Sequence, residues 1–292
     1  MYEYLCQHPD IFMSANKEPR YFVEPECRPR FLGPLDEDRY NVTSIWRWGD
    51  YCNLFIGAEN YKAAGEASPM YMASAKIPRN IKQKLGETKI LIMLRNPIEI
   101  AFSAYIHQVR DGSESLNFKD ALLAEKARIK KNWAWHWRYT SLGLVVPEVL
   151  AAYYKEFKSE NIKIIFYDDF RRDNFGVMKD VFKFLGVDSE VALTRNRSNE
   201  GGVPKYPWLY KLVTRRSIVQ KAVIKLTAPI IKALRMEAAV LSITQRVTAA
   251  RISVFIDTEA HNELCDVFRN TVKEISGVTG VDLSHWLTKR TS

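Results

Sequence analysis

The chain is poor in cysteine, and the cysteines that it has are far apart. Four are present in 292 residues, at Cys6, Cys27, Cys52 and Cys265, and no two form a Cys-x-x-Cys pair. A structural zinc site needs such closely spaced pairs, and a disulfide framework needs a higher density of cysteine. The sequence therefore predicts reduced thiols, no metal centre and a cytoplasmic location.

A long, uninterrupted apolar run is also missing. The N-terminus "MYEYLCQHPDIFM" has no basic region followed by an apolar stretch, which a signal peptide would require. The most apolar long segment, residues 217–234, is interrupted by Lys221, Lys225 and Lys232. A membrane-spanning helix needs about 20 predominantly apolar residues, so no transmembrane segment is predicted.

Acidic residues are absent from one stretch, residues 203–236. The chain carries a net charge of +9, and this stretch contributes eight positive charges, leaving only about +1 for the rest. The charges are Lys205, Lys211, Arg215, Arg216, Lys221, Lys225, Lys232 and Arg235. Such a patch attracts an anionic partner, although a solvated helical surface explains it equally well. No module typical of nucleic-acid binding accompanies it, so an anionic or carbohydrate partner is expected.

Patterns typical of buried strands and of helices alternate along most of the chain. "KILIML" (89–94) and "IKIIFY" (162–167) are near-continuous apolar runs, as in parallel strands that are covered on both faces. Helical patterns occur at residues 77–85, 118–131 and 147–158, and "FGVMKDVFKFLGV" is a helix closed by Gly186. The alternation predicts the α/β class, with a mostly parallel sheet flanked by helices.

The ends of the chain complete one predicted domain, residues 1–292. A helix at "MYEYLCQH" stops before Pro9 and leads into a loop containing "KEPRYF". The predicted α/β core covers residues 1–200, and a basic helical region covers 201–250. A helix near 258–276 and a tail complete the part from 251 to 292. No internal repeat or low-complexity linker divides the chain.

The stretch "ILIMLRNPIEIAFSAY" (90–105) combines a strand, a turn and a helix. Asn96 is a good N-cap, and Glu99 completes a pattern like a capping box. The helix N-terminus and Arg95 would then lie at the carboxyl edge of the sheet, where α/β proteins place ligands. Ser103 falls on the same helix face as Asn96. The residues suit an anion site, although Arg95 as an ordinary strand-end residue is an alternative.

These residues also resemble a known motif. "LRNPIEIAFSAY" is similar to the 3′-phosphate-binding motif of sulfotransferases that use 3′-phosphoadenosine 5′-phosphosulfate (PAPS), especially the carbohydrate branch related to heparan sulfate sulfotransferases. "GEASPMYM", "IKIIFYDDF", "NEGGVPK" and "GVDLSHWL" resemble further landmarks in family order, so the likeness spans nearly the whole chain. It implies a three-layer fold like that of P-loop NTPases, with PAPS as co-substrate and no metal. The implied reaction transfers a sulfuryl group to a carbohydrate hydroxyl or amine.

The resemblance also implies roles for residues of the donor site. Arg95 and Ser103 match the arginine and serine that grip the 3′-phosphate of the nucleotide. Lys205, in "NEGGVPK", matches the late glycine-containing loop that folds over the nucleotide. Tyr167 is a candidate contact of the nucleoside, with packing at a strand end as the alternative. Many relatives carry an additional arginine where this chain has Ile100.

On the acceptor side, the loop "KEPRYF" is implied to hold the catalytic base. Glu18 matches the glutamate that removes the proton of the acceptor, a task that suits a carboxylate within hydrogen-bond reach. Lys17 and Arg20 flank it and could hold an anionic acceptor. A solvated loop charge is the alternative for Glu18.

Two departures from the family pattern bear on activity. Relatives carry a Lys-x-Gly-Thr-Thr loop that binds the 5′-phosphosulfate just before the helix matched by "YEYLCQHP", and this sequence starts at Met1, past that loop. Relatives often have lysine where this chain has Ala67. The chain is therefore expected to have low or no activity, and a non-catalytic anion- or polysaccharide-binding protein is the alternative. A nucleotide kinase is disfavoured because no Gly-x-x-x-x-Gly-Lys-Ser/Thr occurs.

Overall fold

The computed structural model describes residues 1–194, 203–204, 251–252 and 255–290. Parallel strands form two pairs, and a third pair is antiparallel. The strands are β1 (Ile11–Met13) with β2 (Ala63–Gly65), β3 (Ile90–Leu94) with β4 (Ile162–Phe166), and β5 (Val203–Pro204) with β6 (Arg251–Ile252). The parallel pairs position the candidate functional residues, because each described candidate follows one of their strands or lies on the helix after β3.

Eleven α-helices lie in the described part of the chain. They are α1 (Tyr2–Leu5), α2 (Trp48–Asn53), α3 (Ile77–Leu85), α4 (Pro97–Arg110), α5 (Phe118–Lys130), α6 (Ser141–Leu144), α7 (Val146–Glu156), α8 (Tyr167–Arg172), α9 (Asn174–Leu185), α10 (Thr258–Val267) and α11 (Arg269–Thr279). Short 3₁₀ turns include Tyr21–Val23, Pro69–Met72 and Ser284–Leu287. Within these ranges, none of the helices combines the length and the apolar character needed to cross a membrane.

The β3 strand separates two layers of hydrophobic core. Ile92 and Leu94 pack on one side with side chains of α3, α7 and the C-terminal helices. Leu91 and Met93 pack on the other side with the buried face of α9. A strand that is apolar at every position fits this arrangement, because both of its faces are covered. The predicted α/β class, with parallel strands between helical layers, is confirmed.

The helix cap after β3 forms as predicted at Asn96, but the Glu99 carboxylate pairs with Arg95 and, among the described residues, does not complete a capping box. Asn96 caps α4, and its Oδ1 accepts a hydrogen bond from the backbone N–H of Ile98 at 2.9 Å. Pro97 occupies the first helical position, where the missing N–H has no helical partner to lose. This start directs the N–H groups of the first turn of α4 toward the carboxyl end of β3.

Several boundaries differ from the sequence predictions. The first helix ends at Leu5, because His8 turns the chain: its Nδ1 accepts from the Asp10 N–H, and its Nε2 lies 2.8 Å from the Asp188 carbonyl oxygen. The short strand β1 was expected to be loop, since three residues give too little pattern to recognise. The predicted helix 258–276 is two helices that meet at the fully buried Phe268.

Two further boundaries agree with the predictions to within one residue. Gly186 closes α9 in the left-handed conformation, with φ of 79°, as predicted. Tyr167, predicted as the last residue of a strand, is the first residue of helix α8. The basic region predicted for 201–250 lies almost entirely outside the described residues, and the single-domain organisation stays a prediction.

Candidate functional site

Arg95 and Tyr167 lie side by side at the carboxyl end of the β3–β4 pair. The two strands pair in parallel, and the last pair is Leu94 with Phe166. Arg95 follows β3 and Tyr167 follows β4, so the register places them next to each other. The guanidinium carbon of Arg95 lies over the Tyr167 ring, 4.5 Å from its centroid. Two residues predicted separately for the donor site are therefore in direct contact.

Within the described residues, the Arg95 guanidinium is only partly engaged in hydrogen bonds. Its Nε donates to Glu99 Oε2 at 2.9 Å, and the side chain is 32% exposed. Among the residues that the structure describes, its two terminal nitrogens have no hydrogen-bond partner. A fork of two N–H groups next to a helix N-terminus has the geometry and charge to bind a phosphate.

Of the other two residues predicted for the donor site, Ser103 and Lys205, the structure describes Ser103. Ser103 lies in the middle of α4 and is partly buried. The short strand β5, Val203–Pro204, lies beside α4 and directly precedes Lys205. Lys205 itself lies outside the described residues. Within "NEGGVPK", the described strand Val203–Pro204 thus lies close to the helix that carries Ser103.

The loop containing Glu18 is anchored to the segment after β2. The backbone N–H of Glu18 donates to the Ala67 carbonyl at 3.1 Å, and the N–H of Arg20 donates to Ser68 Oγ at 3.1 Å. Glu18 and Arg20 both have left-handed backbones, with φ of 60° and 57°. This conformation costs about 1–2 kcal/mol for a residue other than glycine, so the two anchors hold a strained loop.

Arg20 is buried, and its guanidinium is engaged by the protein. Nη1 donates to Glu18 Oε2 at 3.1 Å, and Nε donates to Ser44 Oγ at 3.1 Å. Nη2 donates to Thr43 Oγ1 at 2.7 Å and to the Arg39 carbonyl at 3.0 Å. The sequence suggested that Arg20 binds an acceptor. These contacts favour a different role, in which Arg20 fixes the Glu18 carboxylate.

Lys17, by contrast, is exposed. Its Nζ lies 5.5 Å from the centre of the Tyr2 ring. The Tyr2 hydroxyl donates to the Ser14 carbonyl at 2.6 Å, which fixes the ring. Lys17 is thus a cation at the surface next to Glu18 in sequence, suited to meet an anionic group from solvent.

Glu66 is a buried carboxyl group that the sequence predictions missed. Its Oε2 accepts from the Ser68 hydroxyl at 2.9 Å, so Glu66 continues the chain of contacts from Glu18 through Arg20 and Ser68. Burial raises the pKa of Glu66, and the nearby charge of Glu18 adds to the rise. Glu66 Oε1 and the Tyr71 hydroxyl are close enough to influence each other, but within the described part of the chain neither has a well-aligned hydrogen bond. The sequence signal for Glu66 was its position in the motif-like stretch "GEASP", of which the sequence predictions used only Ala67.

Arg39 connects the loop containing Glu18 with α4. Its carbonyl accepts from Arg20, while its guanidinium donates to Gln108 Oε1 at 3.0 Å and to Asp111 Oδ2 at 2.6 Å. Gln108 lies in the last turn of α4, and Asp111 caps its C-terminus. The described residues show no direct contact between Glu18 and Arg95, so Arg39 links the two regions only indirectly.

In the described ranges, no group of three or more His, Cys, Asp or Glu side chains could hold a metal ion.

Comparison with known proteins agrees with this architecture. The sequence profile of the sulfotransferase domain family matches residues 1–199, more than half of the chain. The chain belongs to the sulfotransferase family. The structure is also similar to the crystal structure of a sulfotransferase from Alicyclobacillus acidocaldarius, with a TM-score of 0.73 and 29% sequence identity, covering 98% of this chain and 92% of the other. The sulfotransferase fold predicted from the motifs is thereby confirmed.

A curated relative is the membrane-associated sulfotransferase kil1 of Dictyostelium discoideum. It is 26% identical to this sulfotransferase over 102 residues, which are 35% of this chain. The match covers only 18% of the length of the Dictyostelium protein. The likeness therefore concerns one part of that protein, and it supports membership of the family without assigning an acceptor.

Proposed function

We propose that this sulfotransferase transfers a sulfuryl group from PAPS to a hydroxyl or amine of a carbohydrate-type acceptor. The observation that carries the donor assignment is the Arg95–Tyr167 pair at the carboxyl end of β3 and β4, beside the N-terminus of α4. It combines an arginine whose two terminal nitrogens have no partner among the described residues, an aromatic ring and the positive end of a helix. A nucleotide with a 3′-phosphate offers a matching dianion and a flat base.

In this proposal, each donor-site residue has a separate task. The terminal nitrogens of Arg95 and the hydroxyl of Ser103 bind the 3′-phosphate. The Tyr167 ring lies against the nucleoside and holds the Arg95 guanidinium above it. Lys205 contributes a further cation from the segment after β5. The proposal needs no metal, because these cations and the helix dipole neutralise the negative charge of the phosphate.

The chemical step needs a group that removes a proton from the acceptor. Glu18 takes the proton of the attacking hydroxyl or amine, whose oxygen or nitrogen forms a bond to sulfur. The bond between sulfur and the bridging phosphate oxygen breaks, and 3′-phosphoadenosine 5′-phosphate (PAP) leaves. Arg20 keeps the Glu18 carboxylate in place through the 3.1 Å hydrogen bond to Oε2.

The acceptor is proposed to be anionic or rich in hydroxyl groups. Lys17 lies exposed beside Glu18, and the basic stretch 203–236 adds eight positive charges without an acidic residue. Binding of an anionic acceptor should weaken steeply with added salt, since surface charges are screened within about 10 Å at 0.1 M salt. Salt-insensitive binding would argue against this assignment. The cytoplasmic location stays a prediction.

A calorimetric titration with PAP tests the donor site without a known acceptor. We expect Arg95→Ala to weaken PAP binding by about 10- to 100-fold, because a charged hydrogen bond contributes about 1.5–3 kcal/mol. The control is Arg79→Ala, which removes an exposed arginine of α3 and should leave the affinity unchanged. Equal affinities for the wild type and Arg95→Ala would rule out the proposed phosphate site. No binding to folded wild type would favour the alternative of a non-catalytic anion-binding protein.

A further inference from the structure

In the 3₁₀ turn Ser284–Leu287, Trp286 contacts residues that follow both β3 and β4. The backbone carbonyl of Trp286 accepts a hydrogen bond from Asn96 Nδ2 at 3.0 Å. Its indole Nε1 donates to Asp168 Oδ2 at 2.8 Å. Asn96 directly follows Arg95, and Asp168 directly follows Tyr167. Trp286 therefore bridges the two positions next to the candidate nucleotide contacts.

Trp286 is firmly held in this bridging position. Its side chain is 2% exposed, and its ring packs against Phe166, the last residue of β4, at a centroid distance of 6.2 Å. The backbone N–H of Trp286 donates to the Leu283 carbonyl at 2.9 Å. His285 Nε2 lies 3.5 Å from Asp168 Oδ2, the same oxygen that accepts from the indole. The turn thus presents a rigid group to both strands.

The pairing of β3 with β4 brings Arg95 and Tyr167 side by side but does not extend to them. The strand pairing ends with Leu94 and Phe166, and each chain then enters a different helix, α4 or α8. The direct contact of the Arg95 cation with the Tyr167 ring is a weak interaction where it is partly exposed. The bridge from Asn96 through Trp286 to Asp168 ties the start of α4 to the start of α8, a connection that the strand pairing does not provide.

We propose that Trp286 is a positioning residue of the nucleotide site, where it clamps Asn96 to Asp168 and so fixes the gap between Arg95 and Tyr167. The clamp follows from the two hydrogen bonds alone, whereas its purpose rests on the proposed function. Because Trp286 is 2% exposed, the proposal assigns it no contact with substrate. It acts through the two residues that precede its hydrogen-bond partners.

The test compares two equivalent substitutions of buried tryptophans. Trp286→Phe keeps an aromatic ring and removes the indole donor to Asp168. Trp137→Phe makes the same change elsewhere, where the indole Nε1 of the fully buried Trp137 donates to Asp36 Oδ1 at 3.2 Å. PAP affinity is measured by calorimetry, and hydrogen exchange is measured without nucleotide for peptides that cover residues 94–98 and 166–169. Asp168→Ala breaks the same bond from the other side, in case Trp286→Phe does not fold.

We expect Trp286→Phe and Asp168→Ala to weaken PAP binding about 10-fold, while Trp137→Phe stays within about 2-fold of the wild type. Exchange of both peptides should be faster in the first two variants and unchanged in the control. Unaltered exchange in Trp286→Phe and Asp168→Ala would overturn the clamp. Faster exchange with unaltered PAP affinity would overturn its role in nucleotide binding. A wild type that binds no PAP would overturn the proposed function and that role, while the exchange data would still decide whether the clamp exists.

Discussion

Glu18 Oε2 accepts a hydrogen bond of 3.1 Å from Arg20 Nη1, two residues away across Pro19. The Arg20 side chain is only 8% exposed, whereas that of Glu18 is 34% exposed. A buried, permanently charged group therefore orients a carboxylate that still reaches solvent. Among the described residues only Oε2 of Glu18 accepts a side-chain hydrogen bond, so the proposed proton transfer from an acceptor can use Oε1. The contact supports the proposal that Glu18 acts as the general base.

Replacing Glu18 should separate chemistry from donor binding. Glu18→Gln keeps the size and polarity of the side chain but cannot take a proton. We expect the rate of sulfuryl transfer from labelled PAPS to fall by about 100-fold or more, as general bases contribute about 10² to 10⁴ in rate. PAP affinity in calorimetry should remain within about 2-fold. A variant that transfers at the wild-type rate would show that another group accepts the proton.

Ser68 should help to hold Glu18 in place through Arg20, without contacting Glu18 itself. In Ser68→Ala, the buried backbone N–H of Arg20 loses its acceptor, at a cost of about 1–3 kcal/mol in the free energy of unfolding. We expect kcat to fall about 10-fold with little change in the KM for PAPS, because the strained loop then holds Glu18 less well. Ser74→Ala is the control, since Ser74 Oγ likewise accepts from a backbone N–H, that of Lys76, at 3.3 Å. Equal kcat values for the two variants would contradict the role given to Ser68.

The ring of Tyr167, and not its hydroxyl, should support nucleotide binding. Tyr167→Leu removes the aromatic face under the Arg95 guanidinium, and we expect PAP affinity to fall about 3- to 10-fold in calorimetry. Tyr167→Phe keeps the ring and serves as the matched control, with an affinity within about 2-fold of the wild type. If Tyr167→Phe binds as weakly as Tyr167→Leu, the hydroxyl makes the decisive contact instead.

The sequence was sufficient for features that depend on local patterns. The apolar run 90–94 predicted a buried strand, and the Asn96-Pro97 turn predicted the start of α4, because a side-chain cap and a fixed proline φ act on the nearest residues. The family motifs drew attention to Arg95 and Tyr167 individually. Their contact became visible only with the parallel register of β3 and β4.

Long-range contacts could not be predicted in this way. The partners that engage Arg20 include Ser44 and Thr43, more than 20 residues away, so the sequence did not reveal that its charge is already used. Trp286 lies 190 residues from Asn96 and 118 residues from Asp168, and no local pattern connects them. The fold alone brings such pairs together, and they determine which charged groups remain available to a ligand.

Glu66 should make stability depend on pH in a specific direction. Burial raises its pKa above the ordinary value of 4.5, so the folded protein keeps this proton at pH values where the unfolded chain has released it. The free energy of unfolding contributed by Glu66 therefore falls as pH rises from about 4.5 toward the raised pKa. The slope is at most about 1.4 kcal/mol per pH unit within that range.

Glu66→Gln removes this titration while keeping a side chain of similar shape. Urea unfolding between pH 4 and pH 7 should show the variant gaining stability relative to the wild type as pH rises. Glu160→Gln, at an exposed position before β4, provides the control and should show no comparable trend. A difference between Glu66→Gln and the wild type that stays constant over this range would mean that burial does not raise the pKa of Glu66 in the folded protein.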